Sequence, residues 1–238
     1  MKLICKTRLF PAEPAFVGTR VSVLTTEESR TWGFKTATLA EGSGRIRVAW
    51  GDGAVEEFAQ DMNQVTHAYS EPGRHEVEIS DDVAAFGISA LTGVFQTTYM
   101  PMVCGVRSNA RKLAALAEIA FSRGTHLEEL DLRETGIRTI PRYCFRQCAA
   151  LSGLEGLPRG VEEIGTTAFS GCSRIEVVRF PHVVSVKGGA SSLPFAGCTA
   201  LREIHFAAAH RDALLASPAF QVDPEHLGAA GATVAFDL

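Results

Sequence analysis

Between residues 113 and 206 the apolar positions recur in one order, over and over. Phe121, Phe145, Phe169 and Phe195 mark the phase, 24, 24 and 26 residues apart. Three residues after the markers stand Gly124, Cys148, Cys172 and Cys198, and six after stand Leu127, Leu151, Ile175 and Leu201. Nine after come Leu130, Leu154, Val178 and Ile204, and eleven after come Leu132, Gly156, Phe180 and Phe206, with one lapse to glycine. Leu113/Leu116, Ile137/Ile140 and Val161/Ile164 stand eight and five residues ahead of their markers. One turn of chain cannot bury its own apolar edge, so matched columns predict a solenoid whose stacked turns share a core. Leu151, Leu154, Val161, Ile164 and Phe169 are predicted to point inward, each beneath its counterpart in the next turn.

The period of 24 lies in the leucine-rich-repeat range, and C-x-x-L-x-x-(L/I/V)-x-(L/F) is close to that consensus. The finer wording is more specific. Gly160-Val161-Glu162-Glu163-Ile164-Gly165-Thr166-Thr167-Ala168-Phe169-Ser170-Gly171-Cys172-Ser173-Arg174-Ile175 resembles the BspA-like (Treponema pallidum-type) repeat of bacterial surface proteins. Leu193-Pro194-Phe195-Ala196-Gly197-Cys198 repeats it, and Tyr143-Cys144-Phe145-Arg146-Gln147-Cys148 is a degraded copy. Arg123 and Gln147 stand where that repeat usually has glycine, and two residues are inserted around Gly188-Gly189.

Residues 1–80 read differently, as an all-β unit. Residues 19–25 (Thr-Arg-Val-Ser-Val-Leu-Thr) and 45–50 (Arg-Ile-Arg-Val-Ala-Trp) alternate apolar with polar, as half-buried strands do. Residues 41–44 (Glu-Gly-Ser-Gly) form a turn cluster, Asp52-Gly53 predicts a tight hairpin, and residues 55–58 its return strand. Trp50-Gly51-Asp52-Gly53, followed by Thr66-His67-Ala68-Tyr69-Ser70-Glu71-Pro72-Gly73-Arg74-His75-Glu76-Val77-Glu78-Ile79, resembles the PKD-like fold, an immunoglobulin-like β-sandwich of bacterial surface proteins. The resemblance implies a core role for Trp50, a turn at Asp52-Gly53 and a strand-corner position for Tyr69. Asp52 is expected to bond its own backbone rather than act as an acid or calcium ligand. His67 and His75 are expected to be strand residues.

The expected fold is therefore mostly β. A PKD-like sandwich (1–80) precedes a connector and N-terminal cap (81–112), leucine-rich repeats (113–206) and a C-terminal helix and strand cap (207–238). Residues 207–216 read as a short helix stopped by Ser217-Pro218, and residues 232–236 as a closing strand.

Composition trims the function classes. Net charge is −4, which gives no reason to expect nucleic acid, and no apolar run nears the roughly 20 residues of a membrane helix. Residues 1–8 hold too short an apolar stretch, broken by Lys6 and Arg8, for a secretory signal. Cys148, Cys172 and Cys198 share one repeat position and should lie in a line, as buried small side chains; zinc needs ligands converging on a point. Cys144 takes an alanine slot, and Cys5 and Cys104 carry no pattern. None of the usual nucleotide-, zinc- or serine-hydrolase motifs occurs, so no catalytic, cofactor or metal residue is assigned.

Repeat proteins work through surfaces. On each predicted strand the positions seven, eight and ten after the marker interleave with the inward ones. They supply a candidate binding face of Glu128, Glu129, Asp131, Glu155, Glu176, Arg179, Arg202, Glu203 and His205, acidic near the N-terminal turns and mixed beyond. The BspA resemblance implies a non-enzymatic adhesion protein at a cell surface or secreted, binding a host or bacterial surface protein or glycan. The missing signal leaves a phage or prophage tail component open, as a virion protein. An enzyme with an unrecognised site is the third class.

Overall fold

The computed structural model describes residues 16–38, 45–59, 65–80, 83–87 and 99–238. The expected turn at 41–44, residues 1–8 and Cys5 lie outside them. The first part of the described chain holds the strands β1 (Gly18–Leu24), β2 (Thr31–Thr38), β3 (Arg45–Ala49), β4 (Val55–Ala59), β5 (Val65–Ala68), β6 (Arg74–Ser80) and β7 (Val83–Gly87). β1 follows its alternation: Val21 and Val23 are buried, while Arg20 pairs with Glu78 outside. β3 and β4 form the predicted hairpin, Ala49 opposite Val55. Its turn is closed by Trp50 N–H donating to the Ala54 carbonyl at 3.0 Å, and Gly51 and Gly53 take φ of 86° and 99°. Asp52 Oδ1 accepts the Ala54 N–H at 3.0 Å, the turn role expected of it. β2 buries Trp32 and Phe34, with Gly33 between them on the other side of the strand. A Cβ on Gly33 would fall 2.3 Å from the Val65 carbonyl of β5, so glycine lets the two strands close.

The solenoid follows, with β8 (Val103–Ser108), β9 (Ala115–Leu116), β10 (Glu129–Asp131), β11 (Thr139–Ile140), β12 (Glu163–Ile164), β13 (Val177–Phe180), β14 (Ser185–Val186), β15 (Glu203–Phe206) and β16 (Thr233–Phe236). Its strands lie on two faces. One face continues the first sheet, in the order β4-β3-β6-β1-β8-β10. β8 is antiparallel to β1 and parallel to β10, so it is at once a rung of the solenoid and an edge of the N-terminal sheet. The other face begins where β9 pairs in parallel with β7, in the order β5-β2-β7-β9, and β11-β12-β14 carry it on. The segment expected as a connector and cap thus includes a structural rung. One apolar core runs unbroken from Val21 to Ala232.

Inside the turns the four phase markers stack face to face. Ring centroids are 5.1, 5.6 and 5.4 Å apart, with interplanar angles of 17°, 1° and 4°. The cysteines stack beside them as the spacing predicted. Cys148, Cys172 and Cys198 are buried, and each thiol donates to the carbonyl of the marker one turn earlier, at 3.1, 3.0 and 3.1 Å. In the first turn Gly124 holds the cysteine position, and a Cβ there would meet the Met100 methyl at 2.9 Å. Met100 fills from the preceding turn the space that a thiol fills later.

The first three markers are also flanked on both sides by left-handed backbone. Ile119 and Arg123, Tyr143 and Gln147, Thr167 and Gly171 all have φ between 57° and 78°. The bend is therefore imposed by the stack whether or not glycine is present. One expected strand is absent: the turn carrying Ser152, Gly153 and Glu155 has none at these positions. A Cβ on Gly156 would lie 1.7 Å from the Leu130 carbonyl, so the chain is drawn close against the turn before it. The Gly156 carbonyl accepts from Leu132 N–H at 2.7 Å, and the following Leu157-Pro158 turns away.

At the C-terminal end a 3-10 turn (Ala208–His210) leads into α1 (Arg211–Leu215). That helix ends before Ser217-Pro218, as the stop implied, and Pro218 opens a further helix, α2 (Pro218–Val222). β16 adds in parallel to β15. Phe220 and Phe236 close over Phe206, with centroids 5.7 and 6.1 Å away. The inserted Gly188 gives α2 room: a Cβ on it would lie 3.0 Å from the Ala219 methyl.

Candidate binding face

Residues on the continuous sheet are arranged in rows across the strands. In one row Glu78, Arg20, Arg107 and Asp131 stand side by side on β6, β1, β8 and β10. Like charges opposite one another repel, but here the two arginines are bracketed by acids. Arg20 bonds Glu78 at 2.9 Å, and Arg133 grips Asp131 with two bonds of 2.9 and 2.8 Å. That grip holds the Asp131 carboxyl below the usual carboxylate range.

The next row is Glu76, Ser22, Gly105 and Glu129. Gly105 has no side chain, and Glu129 leans into the space: a Cβ on Gly105 would be 3.2 Å from the Glu129 Cβ. Desolvation raises the Glu129 pKa, opposed by the charges of Arg74 and Arg107. Ser22 donates to Glu76 Oε1, while Glu76 Oε2 is buried without a hydrogen-bond partner. Glu128 is exposed just before β10.

Further along, Arg179 and His205 are neighbours on β13 and β15, and Val177 lies opposite Glu203. His205 is clamped between carboxylates, Nδ1 2.8 Å from Asp237 and Nε2 2.9 Å from Glu203. The two acids raise its pKa, Asp237 most. Arg202 pairs with Glu176 beside the strand starts. Glu155, on the turn without a strand, folds over Gly153, where a Cβ would meet its Oε2 at 2.1 Å.

The predicted residues therefore form two groups. Glu128, Glu129 and Asp131 sit in the shared sheet; Glu176, Arg179, Arg202, Glu203 and His205 sit beyond the interruption; Glu155 stands alone between them. Arg20, Ser22, Glu76, Glu78 and Arg107 belong to the same face and were not singled out from the sequence. The alternation around Arg20, Ser22, Glu76 and Glu78 is legible in the sequence; the strand that carries Arg107, and which strands would pair, are not.

Two clefts open beside this face. One, of about 280 Å³, lies where the N-terminal sheet meets the solenoid, among Phe16, Arg20, Arg107, Asp131 and Arg133. The other, of about 330 Å³, lies at the strandless turn, among Leu154, Leu157, Val161, Arg179 and Phe180. Arg159 lines both. Among the described residues no group of three or more His, Cys, Asp or Glu is placed to hold a metal ion. No helix among them is long and apolar enough to cross a membrane.

Residues 114–213 match the BspA type leucine rich repeat region, in six copies. Among solved structures, a leucine-rich repeat protein from Bacteroides ovatus is 24% identical over 58% of this chain and 37% of its own, with a TM-score of 0.41. The T. pallidum leucine rich repeat protein is 21% identical over 53% of this chain and 60% of its own, with a TM-score of 0.35. This chain thus spans less than two thirds of either. No curated protein matches. Repeats of this kind commonly serve as interaction surfaces.

Proposed function

We propose that this chain is a non-enzymatic recognition protein of a bacterial surface. It binds a surface protein or glycan through the strand face that carries Glu129, Asp131, Arg179, Glu203 and His205. The observation carrying this reading is the sheet running from β4 to β10. It makes the N-terminal unit and the first solenoid turns one broad, preorganised surface studded with charge. Preorganisation lowers the ordering cost of binding. The N-terminal unit is read as a PKD-like sandwich. Its two sheets meet around Trp50, 6.4 Å from Trp32 and 6.1 Å from Phe34, and the Tyr69 hydroxyl donates to the Trp50 carbonyl at 3.0 Å.

Location tests the reading first. Mass spectrometry of proteins shaved from intact producer cells is expected to find peptides of this chain. Peptides confined to the cytosol overturn the surface role, and peptides enriched in purified phage particles make it a virion component instead. For any partner then found on an array of matrix proteins and glycans, charge reversal of Glu129 and Asp131 is expected to weaken binding. Unchanged affinity with unchanged salt dependence removes those two residues from the face.

A further inference from the structure

The repeat fails at one place, and a cleft opens beside the failure. In the column eleven residues after the marker, Leu132, Phe180 and Phe206 present large side chains, whereas Gly156 presents none. Phe180 stacks on Phe206 at 5.7 Å, and the residue that would fill the column on its other side is this glycine. Gly156 cannot be larger, because the Leu130 carbonyl occupies the position its Cβ would take. The sheet is broken at the same turn: no backbone hydrogen bond joins residues 152–158 to β13 among the described residues.

Beside this turn a cleft of about 330 Å³ has an apolar floor of Leu154, Leu157, Val161 and Phe180. Its rim is charged. The Arg179 side chain is exposed and makes no ion pair or hydrogen bond among the described residues. Arg159 stands opposite, held by one contact of 3.1 Å to Glu134, and His182 and Glu155 complete the edge. An apolar hole beneath an unpaired guanidinium calls for a ligand with an apolar group next to an anion. A strand edge with no neighbour adds backbone donors and acceptors, which an extended peptide matches and a sugar chain does not.

We propose that this cleft docks an extended segment of a partner protein. The segment places a leucine-sized side chain against the apolar floor and an acidic residue beside Arg179. The proposal deepens the recognition role argued above and rests on it.

The test uses the whole chain, isotope-labelled, with two acetylated and amidated hexapeptides, one alternating leucine with glutamate and one alternating leucine with lysine. The glutamate peptide is expected to shift the amide signals of Leu154, Leu157, Phe180 and His182 saturably, and the lysine peptide is not. Arg179→Glu is expected to weaken the glutamate peptide about fivefold or more. His182→Trp, at an exposed rim position, is expected to cover the cleft and abolish the shifts with the melting temperature unchanged. Absence of saturable shifts, equal shifts from both peptides, or indifference to Arg179→Glu overturns the proposal. So does a dimer seen by sedimentation that His182→Trp dissolves, since the occupant is then a second copy. If a sulfated hexasaccharide shifts the same signals more strongly than the peptide, the cleft belongs to glycans and the proposal falls. A partner captured on the array while the cleft stays silent removes this site and leaves the recognition role standing.

Discussion

At Gln147 the backbone takes a φ of 61°, a conformation that costs a residue with a Cβ about 1–2 kcal/mol and costs glycine little. Gly171 holds the equivalent position one turn on, at φ 78°. Gln147→Gly is therefore expected to stabilise the chain by about 1 kcal/mol, and Gly171→Ala to destabilise it by a similar amount. Paired urea melts read both signs, and a destabilised Gln147→Gly would show that its side chain contributes more than the strain. Phe145 is flanked by a marker ring on each face and is fully buried. Its replacement by alanine is expected to cost about 3–5 kcal/mol, which the same melts measure.

His205 gives a pH signature. Its pKa is raised from the ordinary 6.5 by Asp237 and Glu203, so protons bind the folded state more tightly than the unfolded one. The contribution is complete below the unfolded pKa near 6.5 and is lost as pH rises through the folded value. His205→Gln should thus be less stable than the parent at pH 5.5, by up to about 1 kcal/mol, with the difference shrinking above pH 7. A difference that grows with pH would contradict the clamp.

At the scale of elements, the strandless turn is where one residue decides a strand. Gly156→Ala places a methyl against the Leu130 backbone carbonyl and is expected to cost about 1–3 kcal/mol, near the upper end because backbone cannot swing aside. Amide exchange should show the damage spreading from Leu130 to Leu157. The columns of apolar residues were legible in advance, as were the cysteine line, the β3–β4 hairpin and the closing strand, because each follows from local periodicity or turn chemistry. The lost strand was not legible: a glycine in a column reads as a lapse until the carbonyl beside it is known.

At the scale of the molecule, the two parts that differ in pattern are stitched together on both faces, at β1 with β8 and at β7 with β9. A solenoid end needs covering, and here the N-terminal sheets extend it by strand pairing. The described chain is therefore expected to unfold as one cooperative unit, with fluorescence of Trp32 and Trp50 in the N-terminal sheets losing structure at the same midpoint as circular dichroism of the solenoid. Two separated midpoints would show that the seam is weak.

Repetition alone determined the solenoid, since a side chain recurring every 24 residues can be buried only against its own counterparts. Alternation determined which side chains of β1 and β3 face outward. Tertiary structure decided what those side chains meet. Arg107 borders both Arg20 and Asp131, and Glu129 shares a row with Glu76, because β8 pairs with strands far apart in sequence. Long-range strand pairing leaves no local mark in composition or period. The charge of the face, and the cleft beside it, therefore became readable only when the turns were stacked.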